Sequence, residues 1–204
     1  MTKVFIVDDH AVVRMGLKAT LPLEGDVEIV GEAVSGDGAA QAVITARPDV
    51  TLLDIRLPGK DGLEVLDELM NANPDAKVIM LTTSEADNHV YEALKRGARG
   101  YVVKDRDADE ILTAVRMVAN GAKYIPDTVR ALYRERQTMP DLTAREQETL
   151  EMMAAGSHNS EIADKFGISV DGVKMHVKHI LEKFNVADRT AAVAEALRRG
   201  FIRH

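Results

Sequence analysis

The feature that most constrains this chain is an alternation of strand-like and helix-like segments that runs through residues 1–121 and then stops. Lys3–Asp8, Val27–Val34, Val50–Asp54, Lys77–Thr82 and Gly100–Val103 are short apolar runs of strand length. Helix-like segments separate and follow them: one from about His10 to near Pro22, then Gly38–Arg47, Gly62–Asn73, Asp87–Arg96 and Ala108–Asn120. Pro48 and Pro74 end two of these, because proline has no N–H to give and clashes with the preceding turn. Gly97 and Gly121 stand where helices end in a left-handed residue. Strands joined through helices pair in parallel. The expected fold is therefore an α/β domain, a five-stranded parallel sheet of the flavodoxin-like, doubly wound kind.

From residue 139 the strand candidates disappear. Thr143 and Glu146 have capping-box spacing and open a helix to about Ala155, with Gly156 behind it. A short helix starts at Asn159 or Ser160 and stops at Gly167. Ser169 caps a longer one to Phe184, closed by Asn185, and Asp188 caps a last one that ends at Gly200. Four helices with short turns predict an all-α bundle, and the second and third have helix-turn-helix spacing. The expected domains are 1–121 and 139–204, with 122–138 as a linker in which Thr128–Arg136 has helical character.

Several function classes fall away at once. Without cysteine there is no disulfide, thiolate zinc site or cysteine nucleophile. No apolar run approaches the roughly 18 residues a membrane span needs. Asp8, Asp9 and Arg14 interrupt any signal-peptide core, so a cytoplasmic protein is expected. Aromatic residues are 4% of the chain, too few for a base-stacking single-strand binder. The net charge of −7 sits mostly in residues 1–138, which carry −6, against −1 for the rest. Any affinity of the second domain for nucleic acid must come from a local basic patch.

The polar residues at the strand ends are the chemically informative set. Asp8 and Asp9 follow the first strand, Asp54 ends the third, Thr82 ends the fourth, and the fifth runs into Lys104. In a parallel sheet all of these fall along the edge where ligands bind. Each alone has an ordinary explanation as a cap, a β-former or a solvated lysine. Together, three carboxylates demand a cation, and hard oxygen donors suit Mg²⁺. A carboxylate beside such a cation can attack a phosphoryl group while a hydroxyl and an ammonium hold its oxygens. Gly36-Asp-Gly38 suggests a dinucleotide loop, but it follows the second strand and Gln41 stands where the third glycine belongs. A phosphatase with an aspartate nucleophile would need an acid two residues later, where Arg56 stands.

The segments VDDH, LLDIRLPGKDG, MLTT and GYVVKD resemble, in order and spacing, those of response-regulator receiver domains. The resemblance implies that Asp54 accepts a phosphoryl group from a sensor histidine kinase or a small phosphodonor. It implies that Asp9 ligates Mg²⁺ directly with Asp54 and the carbonyl of Arg56, while Asp8 assists through water. Thr82 and Lys104 would hold the phosphoryl oxygens, and Tyr101 would be the aromatic switch. Asp105 follows Lys104 where many receivers have proline, a variation common in the NarL/FixJ subgroup.

In SVDGVKMHVKHILEKF, residues 169–184, Val173, Val177, Ile180, Leu181 and Phe184 form one apolar stripe. Lys174, Met175 and Lys178 lie opposite, with His176, His179 and Lys183 nearby. Such a face by itself is usually only solvated. The wider pattern over residues 142–202 resembles the LuxR-type helix-turn-helix, which implies that Lys174, Met175 and Lys178 face the groove of double-stranded DNA. It also implies a homodimer, with the last helix as a contact. Gly172 stands where threonine is usual and Ser160 where lysine is frequent. The chain thus reads as a phosphorelay transcription factor, not an enzyme beyond slow loss of its own phosphate. Replacement of Asp54 by the nearly isosteric Asn should abolish labelling by a small phosphodonor, followed by intact mass, without unfolding the chain; undiminished labelling would remove Asp54 from this role.

Overall fold

The computed structural model describes all residues except 83–88, 105–106, 128, 131–132, 135–141, 200 and 203–204, and the side chains of residues 24, 89 and 199. It divides into two compact units, residues 1–133 and 134–204. The first is built on five parallel strands: β1 (Thr2–Val7), β2 (Val27–Ala33), β3 (Val50–Asp54), β4 (Val78–Thr82) and β5 (Gly100–Val103). They lie in the order β2-β1-β3-β4-β5. The intervening helices are α1 (Ala11–Thr20, continued by a 3₁₀ turn over Leu21–Glu24), α2 (Ala39–Ala46), α3 (Gly62–Ala72), α4 (His89–Lys95) and α5 (Ala108–Ala119). Asp87, the expected first residue of α4, lies outside the described residues, as do Asp105, Gly200 and part of the Thr128–Arg136 segment.

The central strands β3 and β4 are buried along their whole length, which is why they read as continuous apolar runs and do not alternate. Successive side chains point to opposite faces and build two cores. Val7, Leu53, Met80 and Tyr101 pack with α2, α3 and α4, while Ile6, Leu52, Leu81 and Val102 pack with α1 and α5. Helices therefore cover both faces, as the alternation predicts. Gly36 serves packing: a Cβ there would stand 1.9 Å from the carbonyl oxygen of Lys60, so only glycine lets these two loops meet. Gly38 turns the chain into α2 at a φ of 75°, so each glycine has a structural role without a dinucleotide.

The second unit contains α6 (Ala144–Ala154), α7 (Asn159–Phe166), α8 (Val170–Phe184) and α9 (Arg189–Arg199). Its boundaries follow from its caps. Thr143 and Glu146 close a reciprocal capping box, and the Ser169 hydroxyl accepts from Gly172 N–H at 3.1 Å. Gly167 and Asn185 turn the chain in the left-handed region, at φ of 65° and 54°. Val173, Ile180 and Phe184 of α8 are buried against Leu150, Met153, Ile162, Ala192 and Ala196. Among the described residues no helix is long and apolar enough to cross a membrane.

The segment after α5 packs on the first unit. Tyr124 lies alongside β5, donating its N–H to Arg99 O and accepting at its carbonyl from Tyr101 N–H, at 3.0 and 2.9 Å. Val129 is fully buried, Ile125 and Tyr133 pack against the same core, and the Tyr133 ring lies 5.4 Å from that of Tyr91. Burying one aliphatic or aromatic side chain contributes about 1.5–3 kcal/mol, so a fragment of residues 1–133 should be about 2–4 kcal/mol more stable than one of residues 1–121. Equal stabilities in urea titrations of the two fragments would show that this segment contributes nothing to the first unit.

Candidate functional site

The C-terminal edge of the sheet brings the expected acidic residues together. Asp54 ends β3 and is buried. Its Oδ1 accepts from the backbone N–H of Arg56 at 3.1 Å and its Oδ2 from Lys104 Nζ at 2.6 Å. Asp8, one residue past β1, is fully buried, and its Oδ1 accepts from the N–H of His10 at 2.8 Å. Lys104 Nζ also lies 2.8 Å from Asp8 Oδ2, but this oxygen has no partner in hydrogen-bonding geometry. Asp9 is exposed, and its carboxylate lies 2.6 Å from His10 Nδ1. Thr82, at the end of β4, is buried, and its carbonyl accepts from Lys104 N–H at 2.6 Å. Tyr101 on β5 is fully buried. The side chain of Arg56 is exposed, leaving its backbone as the part that meets the pocket.

The loop that holds Asp54 has little freedom. Gly62 N–H donates to Ile55 O at 2.8 Å, and a Cβ on Gly62 would stand 2.1 Å from Asp54 O. Any side chain there displaces the backbone of Asp54. Asp61 fixes the start of α3 just beyond it, accepting from Leu63 and Glu64 N–H while Glu64 caps back.

The electrostatics explain what the pocket lacks. With the imidazole neutral, Asp8, Asp9 and Asp54 carry three negative charges against one from Lys104, and the difference suits a dication. The donor set, carboxylates with an under-bonded buried oxygen on Asp8, fits Mg²⁺. Burial pushes the Asp54 carboxyl above the ordinary carboxylate value, and the charge of Asp8 adds to this. The bond and charge of Lys104 and the Arg56 N–H act the other way without cancelling it.

Sequence reasoning placed His10 only at the start of α1. The helix begins at Ala11, with His10 as an extended residue before it making no side-chain cap bond. Its Nδ1 faces three carboxylates, 2.6 Å from Asp9, 3.3 Å from Asp8 and 3.9 Å from Asp54. The available signal was position: His10 directly follows Asp8 and Asp9 on the same sheet edge.

On the second unit, Lys174, Met175 and Lys178 all project from the exposed face of α8. Each lysine has an acidic neighbour on its own helix: Asp171 at 2.9 Å from Lys174, and Glu182 at 3.6 Å from Lys178. Such exposed pairs are weak and open readily. Lys183, grouped by sequence with the basic face, instead bonds the buried Glu146 at 2.6 Å. Burial pushes the Glu146 carboxyl up, but Lys183 and the capping bonds of Thr143 outweigh it and bring it below its ordinary value. This pair ties the end of α8 to the start of α6. Arg189 was not singled out by sequence. It donates to Ser157 O at 2.6 Å and Asn159 Oδ1 at 3.2 Å, and it lines with Lys174 a shallow depression at the start of α7.

A doubly wound domain with this strand-end pocket, on one chain with a capped helix-turn-helix unit, defines a signal-receiving switch coupled to a DNA reader. A model of the response regulator receiver domain matches residues 4–116, and one of the bacterial regulatory proteins of the luxR family matches residues 140–196. The chain is 35% identical over 204 residues to the transcriptional regulatory protein DesR of Bacillus subtilis (strain 168), covering 100% of each. It is 38% identical over 205 residues to the response regulator protein VraR of Staphylococcus epidermidis (strain ATCC 35984), covering 98% of each. It is also similar to the crystal structure of the response regulator ChrA of a heme-sensing two-component system, at 35% identity and a TM-score of 0.56 over 98% of each chain. The chain belongs to the two-component response regulators that join a receiver domain to a LuxR-type helix-turn-helix, and it is a transcriptional regulator.

The raised value of Asp54 sets a pH dependence. An acid that binds its proton more tightly when folded destabilises the native state once ionised, and that cost disappears below its ordinary value of 3.8. In metal-free buffer Asp54→Asn should be more stable than wild type at neutral pH, and the difference should shrink as pH falls through the raised value toward 3.8. Thermal unfolding across that range checks it, and an Asn variant less stable than wild type at neutral pH would contradict the assignment.

Proposed function

We propose that the receiver domain accepts a phosphoryl group on Asp54 and thereby controls DNA binding by the second unit. The observation that carries this reading is the convergence of Asp54, Asp8 and Lys104 at the ends of three different strands. The donor is a sensor histidine kinase or a small phosphodonor. Mg²⁺ would be held by Asp9, Asp54 and the carbonyl of Arg56, with Asp8 acting through water. It would neutralise charge on the transferring oxygens and help place them in line.

The residues of the chain do the remaining work. The Asp54 carboxylate is the nucleophile, and its burial, with Lys104 and the Arg56 N–H donating to it among the described residues, keeps it desolvated. Lys104, already at the carboxylate, is placed to follow the negative charge onto a phosphoryl oxygen. The Thr82 hydroxyl takes another, moving the end of β4. Tyr101, buried on the adjacent strand, reports that movement to the surface. Such a pocket turns over nothing but its own phosphate.

The second unit reads double-stranded DNA with α8 in the major groove, where Lys174, Met175 and Lys178 meet phosphates and base edges. Arg189 adds a cation beside the start of α7. The active form is a homodimer, because two helix-turn-helix units reading two half-sites multiply affinity and specificity. The protein acts in the cytoplasm, where its DNA and kinase are found.

Binding titrations at several salt concentrations test the DNA face. Lys174→Ala or Lys178→Ala should weaken specific binding by about 1–3 kcal/mol where the lysine contacts a base, with relaxed specificity at that position. A lysine that contacts only phosphate should weaken all sequences alike and reduce the salt slope by about one ion. If both variants bind as wild type at every salt concentration, α8 is not the reading helix.

A further inference from the structure

The exposed face of α8 carries a carboxylate beside its lysines. Asp171, Lys174, Met175 and Lys178 stand at i, i+3, i+4 and i+7, so all four share one face of the helix. Asp171 lies in the first turn, the end of a reading helix that contacts base edges. Its side chain is 87% exposed and lies 2.9 Å from Lys174 Nζ. It is not needed to cap the helix, because the Ser169 hydroxyl accepts from Gly172 N–H. On a face that meets DNA such a group is costly. It is repelled by phosphates, and against the bases it loses its water. That cost is offset only where a base offers it a hydrogen-bond donor.

We infer that Asp171 is a specificity-determining residue, and that with Lys174 it selects a G·C pair at one position of each half-site. The inference rests on the reading of α8 as the helix in the major groove, and it names the base pair that the first turn requires. In that groove cytosine presents an amino donor at N4, and guanine presents acceptors at O6 and N7. Asp171 and Lys174 present the matching set, an acceptor 2.9 Å from a donor. The carboxylate takes the cytosine N4–H while the ammonium donates to guanine. Thymine in place of cytosine sets its O4 against the carboxylate, acceptor against acceptor, and adenine in place of guanine sets its amino group against the ammonium. In water the exposed pair is weak and opens readily, so it can adjust to the base edges. The competing role is local: a carboxylate in the first turn favours the helix dipole and offsets the charge of Lys174, with no part in reading.

Base preference separates the two roles. The full chain, treated with a small phosphodonor and Mg²⁺, selects duplexes from a randomised library, and its affinity is then measured for every single-pair variant of the selected site. The wild type should require G·C at one position of each half-site. Asp171→Ala and the nearly isosteric Asp171→Asn should each reduce that preference about tenfold, at the same position where Lys174→Ala reduces it. Both Asp171 variants should bind unrelated DNA at least as tightly as wild type, which also shows that they are folded. Asp171 variants that keep the wild-type preference at every position overturn the inference and leave α8 as the reading helix. So does a Lys174→Ala variant that weakens all sequences alike, or one that loses preference at a different position. If Asp171→Ala, Lys174→Ala and Lys178→Ala all bind every duplex as wild type does, this inference and the reading of α8 fall together.

Discussion

Lys104 holds one ammonium at hydrogen-bonding distance from Asp54 and within 2.8 Å of Asp8, two carboxylates buried at the ends of different strands. Without it the two carboxylates would face each other with no cation, and unpaired buried charge is strongly disfavoured. From the end of β5 the lysine side chain extends past the end of β4 to the acids at the ends of β3 and β1. Its own N–H is tied to the carbonyl of Thr82. The sheet order, the β3–α3 loop pinned by Gly62 and the caps on α3 can all be read as the scaffold of this one contact. Because the single ammonium is shared, any new negative charge on Asp54 must redistribute it. A pocket already short of positive charge would therefore respond both to a bound dication and to the proposed phosphorylation of Asp54.

The same strand that delivers Lys104 carries Tyr101, whose N–H is bonded to the carbonyl of Tyr124. The segment after α5 is thus attached by its backbone to the strand nearest the proposed switch, and by Ile125, Val129 and Tyr133 to the core beneath it. This gives a short physical route from the pocket to the chain that leads out of the first unit. In the second unit the Glu146–Lys183 pair and the apolar stripe of α8 fix the helix from within, leaving Lys174, Met175 and Lys178 outward.

Much of this was legible in the sequence because each feature had a local cause. Strands β3 and β4 announce themselves as uninterrupted apolar runs because both of their faces are buried. Thr143, Glu146, Ser169 and Asn185 mark helix ends through capping that depends only on near neighbours. The pocket residues could be assigned to one edge because parallel strands share a direction. Three features were less legible, for physical reasons. His10 is a helix-boundary residue whose exposed side chain lies beside the carboxylates, and no periodicity reports that. Lys183 looks like another surface lysine until the fold brings Glu146 beneath it, 37 residues away in sequence. The burial of Val129 depends on a core formed by distant elements, so residues 122–133 read as linker although they pack on the first unit.

The central claim is that the charge state of Asp54 governs what the second unit does. The most direct measurement is the affinity of the full chain for its specific DNA before and after treatment with a small phosphodonor and Mg²⁺, with Asp54→Asn treated in parallel. The account predicts that treatment tightens binding by the wild type and leaves the Asn variant unchanged. Equal tightening in both proteins, or none in a wild type shown by mass to be phosphorylated, would contradict it.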